Sequence, residues 1–293
     1  MLLVLFIKNK WLMRLTLSFY LLLISVSCNN NLKNSEAKPA SDLTEIKKAE
    51  EEQKFVITYH LDTIRNDSAL KVFKATYSEN QQNIIAAVNR IDVWRIRVKK
   101  ALVIPDTLLS DFFSYSPFPS KLPVADSIEK LIFVSLRTQL IAAYENGNLV
   151  RFGPASTGKK STPTPSGLFY TNFKSKLKTS TVDGQWRMPW YFNISNYGGI
   201  GLHQYALPGY PASHSCIRLY KNDARWIFDW AKQWVLNEDG TVIIERGTPV
   251  IVFGKYNPEE PSPWIQLSEN PNALDITDGE WTEINGHISA IKK

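Results

Sequence analysis

Two apolar runs meeting at Asn146-Gly147 constrain this chain more than any other local feature. Phe133-Val134-Ser135-Leu136-Arg137-Thr138-Gln139-Leu140 leads into Ile141-Ala142-Ala143-Tyr144, and Leu149-Val150-Arg151-Phe152 follows Glu145-Asn146-Gly147-Asn148. A tight type I′ turn needs two central residues that tolerate positive φ, and Asn-Gly supplies them, so the chain is expected to double back here as an antiparallel hairpin. Thr162-Pro163-Thr164-Pro165-Ser166-Gly167 is a second turn, entering Leu168-Phe169-Tyr170, while Thr241 to Ile244 and Pro249 to Phe253 read as closing strands. A helix is expected after Asn222 as its cap, with Trp226, Ile227, Trp230 and Trp234 at helical spacing as a core face. Residues 130–254 therefore read as a mainly β, mainly antiparallel domain with one main helix.

A smaller unit precedes it. Phe55-Val56-Ile57-Thr58-Tyr59 is strand-like, Asn83 to Asn89 carries a short helical apolar face, and Ala101-Leu102-Val103-Ile104-Pro105 reads as a second strand. The order strand, helix, Asn-Arg, strand, Ile-Pro is similar to a LysM module, carried mainly by Asn89 and Leu102 to Pro105. The usual Gly-Asp-Thr-Leu opening is absent. That resemblance implies a small α+β module over residues 55–106 that binds the glycan of peptidoglycan; a packing subdomain without sugar affinity is the other reading. Residues 107–129 are a Pro-, Ser- and Phe-rich connector, and 255–293 a polar tail.

The first residues read as an export leader. Lys8, Lys10 and Arg14 precede the apolar run Leu15 to Ser27, which is shorter than the ~20 residues a helix needs to span a bilayer. Ser25-Val26-Ser27-Cys28 and the polar stretch after it resemble a bacterial lipoprotein signal, which implies cleavage after residue 27, lipid on Cys28, and a flexible tether over 28–54. A plain secretory signal is the alternative. The three leader bases supply half of the formal charge of +6, and what remains is too small an excess to argue nucleic-acid binding. Cysteine usage then matters, because the chain has only Cys28 and Cys216. With the first lipidated, Cys216 is a lone thiol in an oxidising compartment and has no partner for a structural disulfide.

That thiol lies in the segment with the most chemistry. Gly198-Gly199-Ile200-Gly201-Leu202-His203 is followed, after a Gly/Pro-rich span, by Ser213-His214-Ser215-Cys216-Ile217-Arg218-Leu219. If residues 213–219 are extended, His214, Cys216 and Arg218 share one face, and the intervening span is long enough to bring His203 beside them. An adjacent imidazole can take the proton of a thiol or stabilise its thiolate, and a guanidinium can lower the thiol pKa or hold a substrate carboxylate. Two readings compete: a buried, inert cysteine, and a zinc site of His203, His214 and Cys216 with an open position for water. His60 and His287 lie outside the cluster.

Together with the Gly-rich strand ending in His203, Ser213-His214-Ser215-Cys216-Ile217-Arg218 resembles the signature of the YkuD-type L,D-transpeptidase family. Ile132 to Leu136, Tyr144 to Gly147, Ser156 to Lys159, Thr164 to Gly167 and Gly247 to Val250 also look like that family. The resemblance implies an L,D-transpeptidase-like β-sandwich with Cys216 as nucleophile, His203 as proton acceptor and donor, and His214 lining the site. Ser213 and Arg218, with Ser215, are implied to support the loop and contact substrate. Ser215 departs from the family, which has Gly there. The implied reaction is cysteine-dependent acyl transfer on peptidoglycan stem peptides, giving 3-to-3 crosslinks, or a carboxypeptidase if water is the acceptor, with no cofactor and no metal. The implied location is the cell envelope, periplasmic and held to a membrane by lipid. A zinc-dependent hydrolase and a catalytically inactive wall-binding lipoprotein are the alternatives.

Overall fold

The computed structural model describes residues 56–180 and 182–293, so the expected leader, lipidated Cys28 and tether fall outside the described residues. No helix among the described residues is long and apolar enough to cross a membrane.

A strand buried on both faces is written as a continuous apolar run, because its alternate side chains enter two different cores. This is the case for β3 (Lys130–Ser135), where Leu131 and Phe133 enter one cluster and Ile132 and Val134 another, all of them fully buried. It sits near the middle of a nine-stranded sheet ordered β6-β13-β3-β4-β5-β10-β9-β8-β7. The remaining strands are β4 (Leu140–Glu145), β5 (Asn148–Ser156), β6 (Gly167–Tyr170), β7 (Lys174–Thr179), β8 (Arg187–Ser195), β9 (Ile200–Gln204), β10 (Ile217–Leu219) and β13 (Pro249–Phe253). All pairings are antiparallel except β13 with β3 and β10 with β9. The fold is thus mainly β.

The β4–β5 hairpin turns at Asn146 (φ 46°) and Gly147 (φ 72°), as the sequence requires. Gly147 is needed twice over, since a Cβ there would lie 2.2 Å from Asp126 Oδ1.

One face of the central strands is closed by the sheet itself. Phe192 and Ile194 of β8, Ile200 and Leu202 of β9 and Ile217 and Leu219 of β10 pack onto Ile132, Val134, Ile141, Val250 and Val252. The expected sandwich is therefore one curled sheet, with helix α3 (Lys221–Trp230) packed beside it. The helix departs from expectation in its details. Tyr220, not Asn222, is the cap residue, Trp234 lies beyond the last turn, and Ala224, Ile227 and Phe228 face the core. Trp226 and Trp230 stack on each other, half-buried, with centroids 4.8 Å apart, and Arg151 and Lys130 lie over their rings. Ile243–Glu245 (β12) pairs only with β11 (Val235–Leu236) in an exposed ribbon outside the main sheet.

The other face is closed by segments outside the strands. The N-terminal unit runs β1 (Tyr59–Thr63), α1 (Asp67–Thr76), α2 (Glu79–Val88), β2 (Ala101–Pro105), with the two strands antiparallel. Its first strand begins where the expected one ends, and α1, capped by Asn66, is an addition to the expected single helix. The Asn89 amide donates to Ile85 O and Val103 O and accepts from Val103 N, fastening α2 to β2. Arg90, fully buried, donates to Thr138 O at 2.9 Å and lies over the Trp264 ring, tying this unit to the sheet and to the C-terminal segment. The expected polar tail contributes Trp264, Leu267, Ile284 and Ile288 to the same core. Its helix α4 (Asp278–Ile291) starts with a Thr277/Glu280 capping box. Glu280 also receives two hydrogen bonds from Arg137, each 2.9 Å.

Candidate active site

His203 and Arg218 sit opposite one another in the parallel β9–β10 pairing, and Cys216 immediately precedes β10, two residues before Arg218. The strand period places Cys216 and Arg218 on one side, and all three residues line one cleft with His214, Lys178, Gly199 and Tyr205. The expected extended run from 213 does not form. Ser215 has φ +71°, and this left-handed residue turns His214 out to the exposed rim. A Gly is natural at such a backbone position, which gives the Ser-for-Gly departure a structural meaning.

The Cys216 loop is held from below. Ser213 is buried, its N–H donates to Thr157 O at 3.0 Å, and its hydroxyl donates to Cys216 O. Thr164 Oγ1 donates to Ser215 O at 2.8 Å and Ser215 Oγ to Thr162 O at 3.2 Å. The Thr162 to Gly167 turn is therefore the brace of this loop.

His203 Nδ1 faces the Gln204 carbonyl oxygen at 3.0 Å, so its proton sits on Nδ1 and Nε2 is left as the acceptor. No carboxylate is needed for this orientation. Burial, seconded by the Arg218 charge and opposed by the Gln204 contact, pushes the imidazole down to about 4. Burial also raises the Cys216 thiol, against the Gly201 N–H, Lys178 and Arg218, which lower it. At neutral pH the cleft therefore holds a thiol and a neutral imidazole, with Lys178 and Arg218 in the same cleft to stabilise a thiolate as it forms.

Several contributors carry no local sequence signal. Tyr191 is fully buried; its hydroxyl donates to Gly199 O at 2.9 Å and accepts from Asn193 Nδ2. Gly199 O is the atom facing Cys216 Sγ, 3.7 Å away. A Cβ on Gly201 would lie 2.7 Å from the Tyr191 ring, so the glycine lets that ring pack under the site. Lys178 rests over the Tyr191 ring and Arg218 over that of Tyr205, and no carboxylate lines the cleft among the described residues. The cleft is thus cationic and suits an anionic ligand. Among the described residues no three His, Cys, Asp or Glu side chains stand close enough together to hold a metal ion, His203, His214 and Cys216 included. His60 of β1 pairs with Asp106, the residue after β2.

Residues 129–252 match the YkuD family, the L,D-transpeptidase catalytic domain. This stretch of the chain belongs to that family. Over 110 residues the chain is 29% identical to L,D-transpeptidase 1 of Mycobacterium tuberculosis, covering 32% of this chain and 44% of that protein. It is 28% identical over 112 residues to L,D-transpeptidase 2 of the same species, covering 27% of that protein. The chain thus spans less than half the length of either relative. Among solved structures, an L,D-transpeptidase fragment (residues 123–326) from Xylanimonas cellulosilytica aligns with 67% of this chain and 98% of its own, at 21% identity and a TM-score of 0.40. One from Stackebrandtia nassauensis aligns with 45% of this chain and 58% of its own, at 23% identity and a TM-score of 0.36. The transpeptidase-type domain begins at the segment before β3 and ends within β13, so the N-terminal unit and α4 lie outside it.

Proposed function

We propose that the protein is a cysteine-dependent L,D-transpeptidase acting on peptidoglycan stem tetrapeptides. The observation that carries this reading is Cys216 in one cationic cleft with a His203 whose Nδ1 is occupied by a backbone carbonyl, leaving Nε2 to accept a proton. As Cys216 Sγ attacks the carbonyl carbon of the third stem residue, a diamino acid, its proton passes to His203 Nε2. The tetrahedral adduct collapses with cleavage of the peptide bond, and the departing D-Ala amine takes that proton. The resulting thioester is attacked by an amine of a second stem, which returns a proton through His203 to the thiolate and leaves a 3-to-3 crosslink. Water in place of the amine makes the enzyme a carboxypeptidase. Arg218 and Lys178 hold the substrate's carboxylates, His214 lines the entry, and Ser213 and Ser215 keep the loop in place.

In this reading the leader is cut before Cys28, lipid on that residue anchors the chain, and the tether lets the domain reach the wall from the membrane within the periplasm. Incubation of the protein with disaccharide tetrapeptide should release D-Ala, and Cys216→Ala should release none above background. Equal release by both proteins would remove the nucleophile assignment.

A further inference from the structure

A second concavity, of about 830 Å³, lies between the N-terminal unit, the connector and the transpeptidase-type domain, and it meets the catalytic cleft at Tyr205, which lines both. Its volume is that of a small-molecule site. Its walls are of three kinds. Aromatic faces come from Trp94 and Phe113, 65% and 44% exposed, both lining this one groove. Amides come from Asn80, Asn83 and Gln204, each able to donate and accept. The charges are largely satisfied within the wall: Asp223 pairs with Arg151 at 2.7 Å, and Asp92 accepts from Leu207 N and lies 3.6 Å from Arg95. Lys221 is the remaining cation.

Arg95 lies over the Trp94 ring at 4.3 Å, which holds the indole in place, and the residue stays 65% exposed. The catalytic cleft, by contrast, offers Lys178 and Arg218 with no lining carboxylate. The groove therefore suits a ligand rich in hydroxyl and amide groups, with apolar ring faces and little charge, and the cleft suits an anionic peptide. We infer that this groove binds the N-acetylated glycan strand, seating a sugar ring on Trp94 and Phe113 while the attached stem peptide enters the cleft past Tyr205.

The inference rests on the proposed transpeptidase reading for the identity of the linked peptide, but not for sugar binding itself. It differs from binding by the N-terminal unit alone, because Phe113, Gln204 and Tyr205 come from the connector and from the segment around β9. The first test is calorimetric titration of the full chain carrying Cys216→Ala with a β-1,4-linked N-acetylglucosamine tetramer. Binding is expected, and Trp94→Ala and Phe113→Ala, both at exposed positions, should each weaken it about tenfold. No binding at millimolar sugar, or binding untouched by both substitutions, overturns the inference.

The second test compares kcat/KM for disaccharide tetrapeptide with that for the free tetrapeptide. The ratio should favour the sugar-bearing substrate and fall in Trp94→Ala. An equal loss on both substrates would mean that the groove takes peptide, and would overturn the inference. If neither substrate is turned over, the transpeptidase reading fails, and the sugar titration decides the groove by itself.

Discussion

Ile132 and Val134 of β3 enter a core closed by the far half of their own sheet, whereas Leu131 and Phe133, one residue out of step, enter a core closed by borrowed segments. The first core stands directly behind the chemistry, because Leu202 and Ile217 in it flank His203 and Cys216 in sequence. The second holds the larger rings: Phe133, Tyr144 and Phe253 meet Phe118 of the connector and Trp264 near the C-terminus. The self-closed face fixes where Cys216 and His203, the proposed nucleophile and base, stand. The borrowed face joins the N-terminal unit, connector and C-terminal helix to the sheet, and Arg90 and Arg137 each bridge two of these parts. Residues 129–252 thus leave one face of their sheet to be covered by chain outside them.

The harshest test of that contrast is to empty the borrowed face. Trp264 is only 2% exposed and packs in the core shared by all three segments. Trp264→Ala should cost about 3–5 kcal/mol, the usual penalty for truncating a large buried aromatic. Urea unfolding measures it, and a loss below about 1 kcal/mol would mean that this face is closed without the C-terminal segment.

A comparable loss, of rate and not of stability, is expected on the self-closed face. His203→Ala should slow acylation by about 10² to 10⁴, the contribution of a positioned general base. The pH profile sharpens this. His203 is held down to about 4 by burial, so it accepts a proton from the thiol above that pH and is already protonated below it. The acid limb of kcat/KM should therefore lie well below the ordinary histidine value of about 6.5, with apparent midpoints that belong to the Cys216–His203 pair. The same depression makes the unfolded chain take up this proton first as pH falls. The His203 contribution to stability should accordingly decline from about pH 6.5 toward 4, by up to about 1.4 kcal/mol per unit, and His203→Gln should remove that slope. An acid limb at 6.5 would place the imidazole in solvent.

The two faces were unequally legible. Asn146-Gly147 states its own turn, and Cys216, His203 and Arg218 are chemistry-bearing types in a recognisable local order, so the hairpin and the candidate site that brings those three into one cleft could be read without knowing the packing. Trp264, Ile284 and Ile288 are sparse apolar residues in a polar stretch, and nothing local says that Phe133 and Phe253 await them. The stripe of Trp226, Ile227, Trp230 and Trp234 was legible in part: Ile227 enters the core and Trp226 and Trp230 pack against its edge under Arg151 and Lys130, whereas Trp234 falls beyond the last turn and Ala224 and Phe228 complete the buried face. Strand alternation puts His214 on the face of Cys216 and Arg218; the left-handed turn at Ser215 replaces that extended run, and His214 lines the same cleft from its exposed rim. Tyr191 and Lys178 act from β8 and β7, remote in sequence from the loop they serve.

Tyr191 provides a smaller test of how the self-closed face positions its chemistry. Removing only its hydroxyl, in Tyr191→Phe, frees Gly199 O from its 2.9 Å donor beside Cys216 and leaves the ring packing intact. Turnover should fall by about tenfold, the effect of losing one buried hydrogen bond of about 1.4 kcal/mol, with KM little changed. Because this is a positioning role, the thiol's alkylation rate should shift with kcat. A fall in stability with no change in alkylation would reduce Tyr191 to a packing residue.

The smallest effect belongs to Ser215. Its φ of +71° is unfavourable for a residue with a Cβ by about 1–2 kcal/mol, and glycine would relieve it. Against that, Ser215→Gly gives up the 3.2 Å bond to Thr162 O, worth about 0.5–1.5 kcal/mol, and adds the conformational freedom of glycine to the unfolded chain, worth about 0.5–1 kcal/mol. The brace from Thr164 Oγ1 survives, because it reaches the backbone carbonyl. The terms nearly cancel, so stability should stay within about 1 kcal/mol and turnover should be kept or raised, with the backbone beside the nucleophile unstrained. Ser215→Ala separates the contributions: it keeps the Cβ in the left-handed region and loses the hydroxyl, so it should be the least stable of the three proteins in thermal unfolding. Should Ser215→Gly and Ser215→Ala both lose more than tenfold in turnover while remaining as stable as the parent, the hydroxyl must act on the substrate, and the loop's geometry would cease to be the reason a serine stands there.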